Sequence, residues 1–188
     1  MVFQDPTAAL NPVFKVGDQL KDIIKYSSMD ETGEILSKEE IEAQAIQVLK
    51  EVALPDPERM LENYPIQLSG GMRQRVCMAM ALVSARDLLI ADEPGTNLDV
   101  TIQDQILRQL KELVEGKGTS IILISHALGA VRGLVDRVYV MYAGSMIEVA
   151  KTEELFENPL HPYATGLLRA VPKLTGGGIP EGVPGRIP

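Results

Sequence analysis

The sequence predicts an α/β protein with a mainly parallel β-sheet and, in addition, an α-helical subdomain. From Asp87 onward, short apolar runs alternate with helical patterns, which is typical of parallel strands joined by crossover helices. The part before it, residues 5–84, carries helical patterns separated by prolines and polar loops. A fully apolar run at 120–124 is typical of a buried parallel strand.

Length and composition narrow the class of protein. The 188 residues are 45% hydrophobic, which is enough for one domain with a real core. The net charge is -8 and the basic residues are scattered, so we expect no nucleic-acid partner. The longest apolar run, Val76 to Val83, is too short to span a bilayer, and no signal-peptide pattern opens the chain. Cys77 is the only cysteine, so we expect an inert packed thiol and no disulfide or cysteine-based metal cluster.

The first half of the chain predicts one strand remnant and several helices. Met1 to Phe3 has the character of a strand end, broken by Gln4-Asp5-Pro6. Helices are predicted at 15–26, 37–54 and 71–84. Ser37 and Glu40 have the spacing of a capping box, and a polar loop with Gly33 precedes them. Pro55 and Pro57 are expected to end the second helical region. An apolar stripe on the third helix consists of Met72, Val76, Met80 and Val83.

The second half predicts strands and helices in alternation. The expected strands are 88–91, 120–124, 137–142 and 145–149, and the expected helices are 100–115, 127–135, 152–157 and 163–171. Ala143-Gly144 lies between the last two strands, so that pair is predicted to be an antiparallel hairpin. Beyond Pro172 the chain is rich in glycine and proline, and we expect a poorly ordered tail.

Two motifs carry chemistry. In Leu68-Ser69-Gly70-Gly71-Met72-Arg73-Gln74-Arg75, a hydroxyl and two glycine amides precede a helical run. Unpaired N–H groups and the helix dipole favour a phosphate at such a place. In the second motif an apolar strand ends in Asp92 and Glu93, where ligand-binding groups of open α/β sheets are found. A helix-capping turn and a solvated acidic pair are the alternative interpretations.

The sequence of residues 1–188 contains no phosphate-binding loop motif. Nowhere does it contain G-x-x-x-x-G-K-[ST], the loop that cradles nucleotide phosphates. Gly116-Lys117-Gly118 contains a Gly-Lys pair but leads into a strand, so we interpret it as a helix C-cap and turn. Gly176-Gly177-Gly178 lies among prolines and has no lysine after it, which favours a flexible tail.

Together, the two motifs resemble the signature and Walker B segments of an ATP-binding cassette (ABC) ATPase. The resemblance implies a partial P-loop NTPase fold, an ABC nucleotide-binding domain, with ATP and Mg²⁺ as cofactors. It implies that Asp92 contacts the nucleotide-bound Mg²⁺ and that Glu93 is the general base for the attacking water. Gln4 resembles the Q-loop glutamine, which contacts Mg²⁺ and the γ-phosphate. His126 resembles the switch histidine, which hydrogen-bonds the γ-phosphate.

The resemblance also implies a head-to-tail dimer. In ABC proteins the signature segment, here Ser69, Gly70, Gly71 and Gln74, faces the nucleotide of the opposite subunit. Asp99 matches the D-loop between subunits, although a helix N-cap is a second explanation and both roles are compatible. The other partners implied are transmembrane permease subunits and, indirectly, an extracellular or periplasmic solute-binding protein. The location implied is the cytoplasmic face of the membrane.

Several stretches resemble one branch, the ATP-binding subunits of oligopeptide, dipeptide and nickel importers. They are Phe3-Gln4-Asp5-Pro6, Leu10-Asn11-Pro12, Asp99-Val100-Thr101-Ile102-Gln103, Val140-Met141-Tyr142-Ala143-Gly144 and Phe156-Glu157-Asn158-Pro159-Leu160-His161-Pro162-Tyr163. The chain departs from the branch at Gly95-Thr96-Asn97, where Thr-Thr-Ala is usual, and at Ala127, where Asp usually follows the histidine. Both departures affect loops that the resemblance places at the dimer interface.

The resemblance divides the chain into four segments. They are a strand and Q-loop remnant at 1–4, a helical subdomain with the signature at 5–84, a RecA-like core half at 85–150, and C-terminal helices with a tail at 151–188. We expect the chain to start inside a longer subunit, at the Q-loop, and residues 1–188 alone to be inactive. One alternative is a naturally shortened, non-hydrolysing partner or regulator. Another is a DNA-maintenance ABC ATPase, which the net charge and the lack of long coiled-coil heptads disfavour.

Overall fold

The computed structural model describes residues 1–84, 87–96 and 98–171. The predicted tail beyond Pro172 and Asn97 of the D-loop segment lie outside the described residues. The chain divides into two compact units, one from Met1 to Ile124 and the other from Ser125 onward.

The first unit contains a helical part followed by two parallel strands. Its helices are α1 (Pro6–Ala9), α2 (Val16–Thr32), α3 (Lys38–Glu51), α4 (Pro57–Glu62), α5 (Gly70–Ser84) and α6 (Val100–Lys117), and a 3₁₀ turn spans Pro65–Gln67. Its strands, β1 (Leu88–Asp92) and β2 (Ser120–Ile124), pair in parallel with Ala91 opposite Leu123. The crossover through α6 is the βαβ connection that the alternating pattern predicts.

One hydrophobic core joins the helical part to the strands. Helix α2 packs on α3, α4 and α5, and α5 also contacts α6. The largest fully buried side chains of this core include Leu20, Ile24, Leu49, Leu61, Met78, Leu89 and Ile106. Val76 is buried, and Met72, Met80 and Val83 pack against the same cluster, so the methionine-containing stripe of α5 is core filling, as predicted.

The second unit is a hairpin with short helices. Strands β3 (Arg137–Tyr142) and β4 (Ser145–Lys151) pair antiparallel. Helix α7 (Leu128–Arg132) precedes the hairpin in the sequence, and α8 (Thr152–Glu157) and α9 (Pro162–Arg169) follow it. Ala143 and Gly144 both have positive φ, at 49° and 76°, which matches the twist that a two-residue hairpin turn requires. Leu155 and Ala164 pack with Val140 in a small separate core.

Several boundaries differ from the sequence prediction. Helix α2 continues to Thr32 because residues 27–32 contain no glycine or proline, and Gly33 then closes it in the left-handed conformation at φ 75°. Helices α1 and α4 were not predicted. Both have a proline in the first turn, where the missing N–H costs nothing, so Pro57 begins a helix and does not end one.

Other local predictions are confirmed. Ser37 Oγ accepts a hydrogen bond from Glu40 N at 3.2 Å, and the Glu40 carboxylate accepts one from Ser37 N at 2.8 Å, which is the predicted capping box. Gly118 closes α6 with φ 66°, so the Gly-Lys-Gly segment is a helix end. Among the described residues, no helix has both the length and the apolar character needed to cross a membrane.

Candidate functional site

The residues before α1 lie beside β1. Val2 forms a parallel bridge with Ala91, in which Val2 N donates to Ile90 O at 2.8 Å and Asp92 N donates to Val2 O at 2.9 Å. Val2 is fully buried, so this contact anchors the start of the chain. Because the two segments are parallel, the residues that follow them emerge at the same edge of the sheet. Gln4 and Glu93 are therefore brought together.

A direct hydrogen bond joins these two predicted site residues. Gln4 Nε2 donates to Glu93 Oε2 at 2.7 Å, across a sequence separation of 89 residues. The bond lies at the exposed edge of the sheet, where Gln4 is exposed and Glu93 is half-buried. A hydrogen bond to an ionised carboxylate is stronger than one between neutral groups, so this contact restricts both side chains.

The main chain at Glu93 forms a tight turn after β1. Glu93 has φ 44°, in the left-handed region that a residue with a side chain adopts infrequently. Its N–H donates to Ile124 O at 2.9 Å, and its carbonyl accepts hydrogen bonds from Gly95 N at 2.7 Å and Thr96 N at 3.1 Å. Strained backbone of this kind persists where the surrounding contacts hold it in place. These three hydrogen bonds determine the direction in which the Glu93 side chain leaves the backbone.

Asp92 is the last residue of β1 and is half-buried next to Glu93. The described residues contain no group of three or more His, Cys, Asp or Glu side chains that would hold a metal without other ligands. Mg²⁺ in nucleotide sites is commonly bound by only one or two protein oxygens, with phosphate and water completing the octahedron. A single carboxylate, together with the amide oxygen of Gln4, fits that kind of site.

The predicted signature segment begins α5. Ser69 is exposed, and its Oγ accepts a hydrogen bond from Met72 N at 3.3 Å, so it caps the helix. Gly70 and Gly71 lie against α6 and the residues before it: an added Cβ would come within 3.2 Å of Leu98 and 3.3 Å of Ile102. Small residues at these positions let the start of α5 approach the segment that follows Glu93. The capping role and the predicted nucleotide role are compatible.

Gln74 occupies a different environment from Ser69. It is only 1% exposed, and its Nε2 has no hydrogen-bond partner among the described residues. Its side chain lies within the packed part of α5. Its assignment to the nucleotide contact therefore depends on the resemblance alone and stays a prediction.

Asp99 and His126 are both exposed. Asp99 is the N-cap residue of α6, but its carboxylate makes no capping hydrogen bond to that helix. The capping explanation therefore describes its position and not a side-chain contact. His126 follows β2 and belongs to the second unit. Its proposed contact with the γ-phosphate stays a prediction.

Thr96 is a site residue that the sequence reasoning did not single out. Its Oγ1 donates to Glu93 Oε2 at 2.9 Å, so the same oxygen accepts hydrogen bonds from both Thr96 and Gln4. The sequence did contain a signal for this contact: a residue with a hydroxyl group lies three positions after Glu93, which is the spacing of one tight turn.

Family models and known proteins agree on what this chain is similar to. The model described as ABC transporter matches residues 1–96, and the model described as oligopeptide/dipeptide transporter, C-terminal region, matches residues 147–186. The dipeptide transport ATP-binding protein DppD of Bacillus subtilis is 49% identical over 93% of this chain and 50% of its own length. The oligopeptide transport ATP-binding protein OppD of Lactococcus lactis is 46% identical over 92% of this chain and 49% of its own length. The chain thus spans about half the length of the curated relatives it matches.

Solved structures that match this chain are also ATP-binding cassettes or parts of ABC transporters. A dimeric ATP-binding cassette in a post-hydrolysis state, bound to ADP and Pi, matches with a TM-score of 0.67 and 27% identity, over 80% of this chain and 61% of that one. The protein cbiO1 of Clostridium perfringens, part of an ABC transporter complex, matches with a TM-score of 0.68 and 28% identity, over 84% and 58%. Both solved structures have the class of fold that the sequence predicts.

Proposed function

This chain belongs to the ABC transporter family, and from that premise we propose that it forms part of an ATP-hydrolysing subunit that drives import of peptides, or of related solutes such as nickel, through a membrane transporter. The observation that carries the proposal is the pairing of Gln4 with Glu93 at the carboxyl edge of the parallel strands. Nucleotide sites of open α/β sheets lie at that edge. The relatives named for dipeptide and oligopeptide transport support the substrate class.

Glu93 is the proposed general base. It stands at a strand end with its main chain held by three hydrogen bonds, so its carboxylate can be presented in one direction. A carboxylate within hydrogen-bond reach of a water can accept its proton as that water attacks the γ-phosphate. Since catalysis of phosphoryl transfer depends mainly on positioning and charge stabilisation, a rigidly held base fits the reaction.

Asp92 and Gln4 are the residues that would hold Mg²⁺. When bound, Mg²⁺ neutralises charge on the phosphates. Gln4 is suited to this task because its Nε2 donates to Glu93, so the amide oxygen is its remaining acceptor group. This arrangement would let one side chain contact both the metal and the base.

Two subunits would complete the proposed site. Ser69, Gly70, Gly71 and Gln74 would contact the nucleotide held by the opposite subunit, and Asp99 would lie between the two subunits. His126 would hydrogen-bond the γ-phosphate. We further propose that the helical part of the first unit contacts permease subunits at the cytoplasmic face of the membrane. An extracellular or periplasmic binding protein would act through those subunits.

The test uses a subunit in which an in-frame phosphate loop precedes residue 1. We expect it to hydrolyse MgATP and the Glu93→Gln variant to lose roughly 10²-fold or more of that rate, because the substitution removes the base and keeps its shape. The variant should still bind ATP and accumulate as an ATP-bound dimer, measured by size-exclusion chromatography with light scattering.

The matched control is Glu115→Gln, which changes an exposed carboxylate of α6 that pairs with Lys111. Its rate should equal that of the unmodified subunit. If Glu93→Gln hydrolyses ATP as fast as this control, Glu93 is not the base and the proposed mechanism is wrong.

A further inference from the structure

Two side chains that donate hydrogen bonds to the Glu93 carboxylate come from different parts of the chain. Gln4 belongs to the segment before α1 and reaches Glu93 across 89 positions. Thr96 belongs to the same turn as Glu93, only three positions away. Both donate to Oε2, at 2.7 Å and 2.9 Å. Rotation of the carboxylate that moved this oxygen away from the two donors would break both hydrogen bonds.

The turn that carries Thr96 is held firmly. Gly95 N and Thr96 N both donate to the Glu93 carbonyl. Gly95 is buried against α6, where an added Cβ would lie 2.5 Å from Gln103 Cγ and 3.3 Å from Gln103 Cα. A residue with a Cβ at this position would require the Gln103 side chain or the turn to shift. The departure at Gly95 from the usual threonine therefore has a physical reason in this chain, since it allows direct packing of the turn on α6.

We propose that Thr96 is a positioning residue for Glu93: its hydroxyl holds Oε2 so that the carboxylate keeps one orientation throughout the reaction cycle. This inference rests on the proposed function, in which Glu93 is the base. Thr96 itself touches neither nucleotide nor water in this role and acts through Glu93.

Gln4 and Thr96 have different roles in this arrangement. Gln4 is also the proposed contact to Mg²⁺, and it precedes the helical part that the proposed function assigns to the permease contact. Its hydrogen bond to Glu93 is therefore expected to be exchanged as the subunit cycles. The hydroxyl of Thr96 lies within one hydrogen-bonded turn with Glu93, so motion of the segment around Gln4 leaves it in place. Thr96 is the constant partner and Gln4 the exchangeable one.

The test compares Thr96→Val with Thr96→Ser in the subunit that carries an in-frame phosphate loop. Valine keeps the branched shape and removes the donor, so kcat should fall about 10-fold or more with KM for ATP nearly unchanged, as expected for losing one hydrogen bond to a charged group. Serine keeps the hydroxyl and should restore the rate to within about 2-fold. The matched control is Thr101→Val, an exposed threonine of α6, which should leave kcat unchanged.

A double-mutant cycle distinguishes loss of Glu93 positioning from a general structural effect of the Thr96 substitution. In the Glu93→Gln background, Thr96→Val should cause no further loss of rate, because the group it positions is already gone. Equal losses from Thr96→Val in both backgrounds would overturn the inference. It would also be overturned if the single variant Thr96→Val kept a normal kcat while the single variant Glu93→Gln was inactive. A subunit in which Glu93→Gln keeps the full rate would instead overturn the proposed function, and this inference with it.

Discussion

Single residues of this chain show how burial decides chemical behaviour. Cys77 lies on α5 and is 6% exposed, with its Sγ 3.9 Å from the carbonyl of Pro6. Burial raises the pKa of the Cys77 thiol to about 12, and the negative charge of Asp5 adds to the effect. Since the thiolate is the reactive form, this cysteine is held in its unreactive state, as the sequence predicted.

The corresponding prediction concerns thiol labelling. At pH 8 the folded chain should react with a disulfide reagent at least about 10-fold more slowly than the same chain in urea, since both access and thiolate content are lower in the fold. The reaction can be followed by the absorbance of the released thiolate. Equal rates in the folded and unfolded chain would show that Cys77 is exposed.

At the scale of elements, side-chain hydrogen bonds connect the C-terminal end of α3 with α5 and α6, and we call this contact the three-helix junction. Arg75 on α5 donates to Val52 O at 2.8 Å and hydrogen-bonds to Gln109 Oε1 on α6. Gln109 Nε2 in turn donates to Glu51 O at 3.0 Å. The carbonyls at the C-terminal end of α3 thereby obtain partners, and a cation at this end is favoured by the helix dipole. Partial burial lowers the pKa of the Arg75 guanidinium, a cost that these acceptors offset.

We expect Arg75→Met to lower the free energy of unfolding by about 1–3 kcal/mol, because it leaves the buried Val52 carbonyl and the Gln109 amide without their donor. The measurement is urea denaturation of residues 1–188, followed by circular dichroism. Arg108→Met is the matched control, since that side chain is 73% exposed and pairs with Asp104 on the same helix. The control should change stability by no more than about 0.5 kcal/mol. Equal effects of the two substitutions would show that the junction contributes nothing.

At the scale of the whole molecule, the sequence contains one part of the proposed nucleotide site. It has Asp92, Glu93, Gly70 and Gly71, and residues 1–188 contain no G-x-x-x-x-G-K-[ST] segment. The amides and the lysine of such a loop supply much of the affinity for the β- and γ-phosphates. If the proposed site is right, residues 1–188 would hold ATP only through the groups proposed to contact the metal and the attacking water.

The expected outcome is that residues 1–188 alone bind MgATP weakly and do not hydrolyse it at a useful rate. Isothermal titration calorimetry should give a dissociation constant well above micromolar, and phosphate release should equal the rate without protein. The same chain joined behind an in-frame phosphate loop is the matched comparison. Micromolar affinity for residues 1–188 alone would contradict this prediction.

Much of the local structure follows from the sequence by itself. The hairpin around Ala143 and Gly144, the capping box at Ser37, and the strand ending at Asp92 depend on residues within one or two turns of each other. Turn chemistry, capping and apolar periodicity act over that range, which explains why these predictions are confirmed. Short proline-initiated helices such as α1 escaped prediction because four residues are too few to show a period.

The tertiary structure alone decided which of these groups meet. The hydrogen bond from Gln4 to Glu93 depends on the parallel register of Val2 with Ala91, and the contact of Arg75 with Gln109 depends on how α5 packs on α6. No local pattern specifies a register between segments far apart in sequence, since register is selected by burial of whole strand faces and by helix packing. From the sequence, the resemblance named Gln4, Glu93 and His126 as catalytic candidates and Asp92 as a metal ligand. Only the fold shows that Gln4 and Thr96 both donate to Glu93, because hydrogen bonds between side chains depend on where the backbone places them.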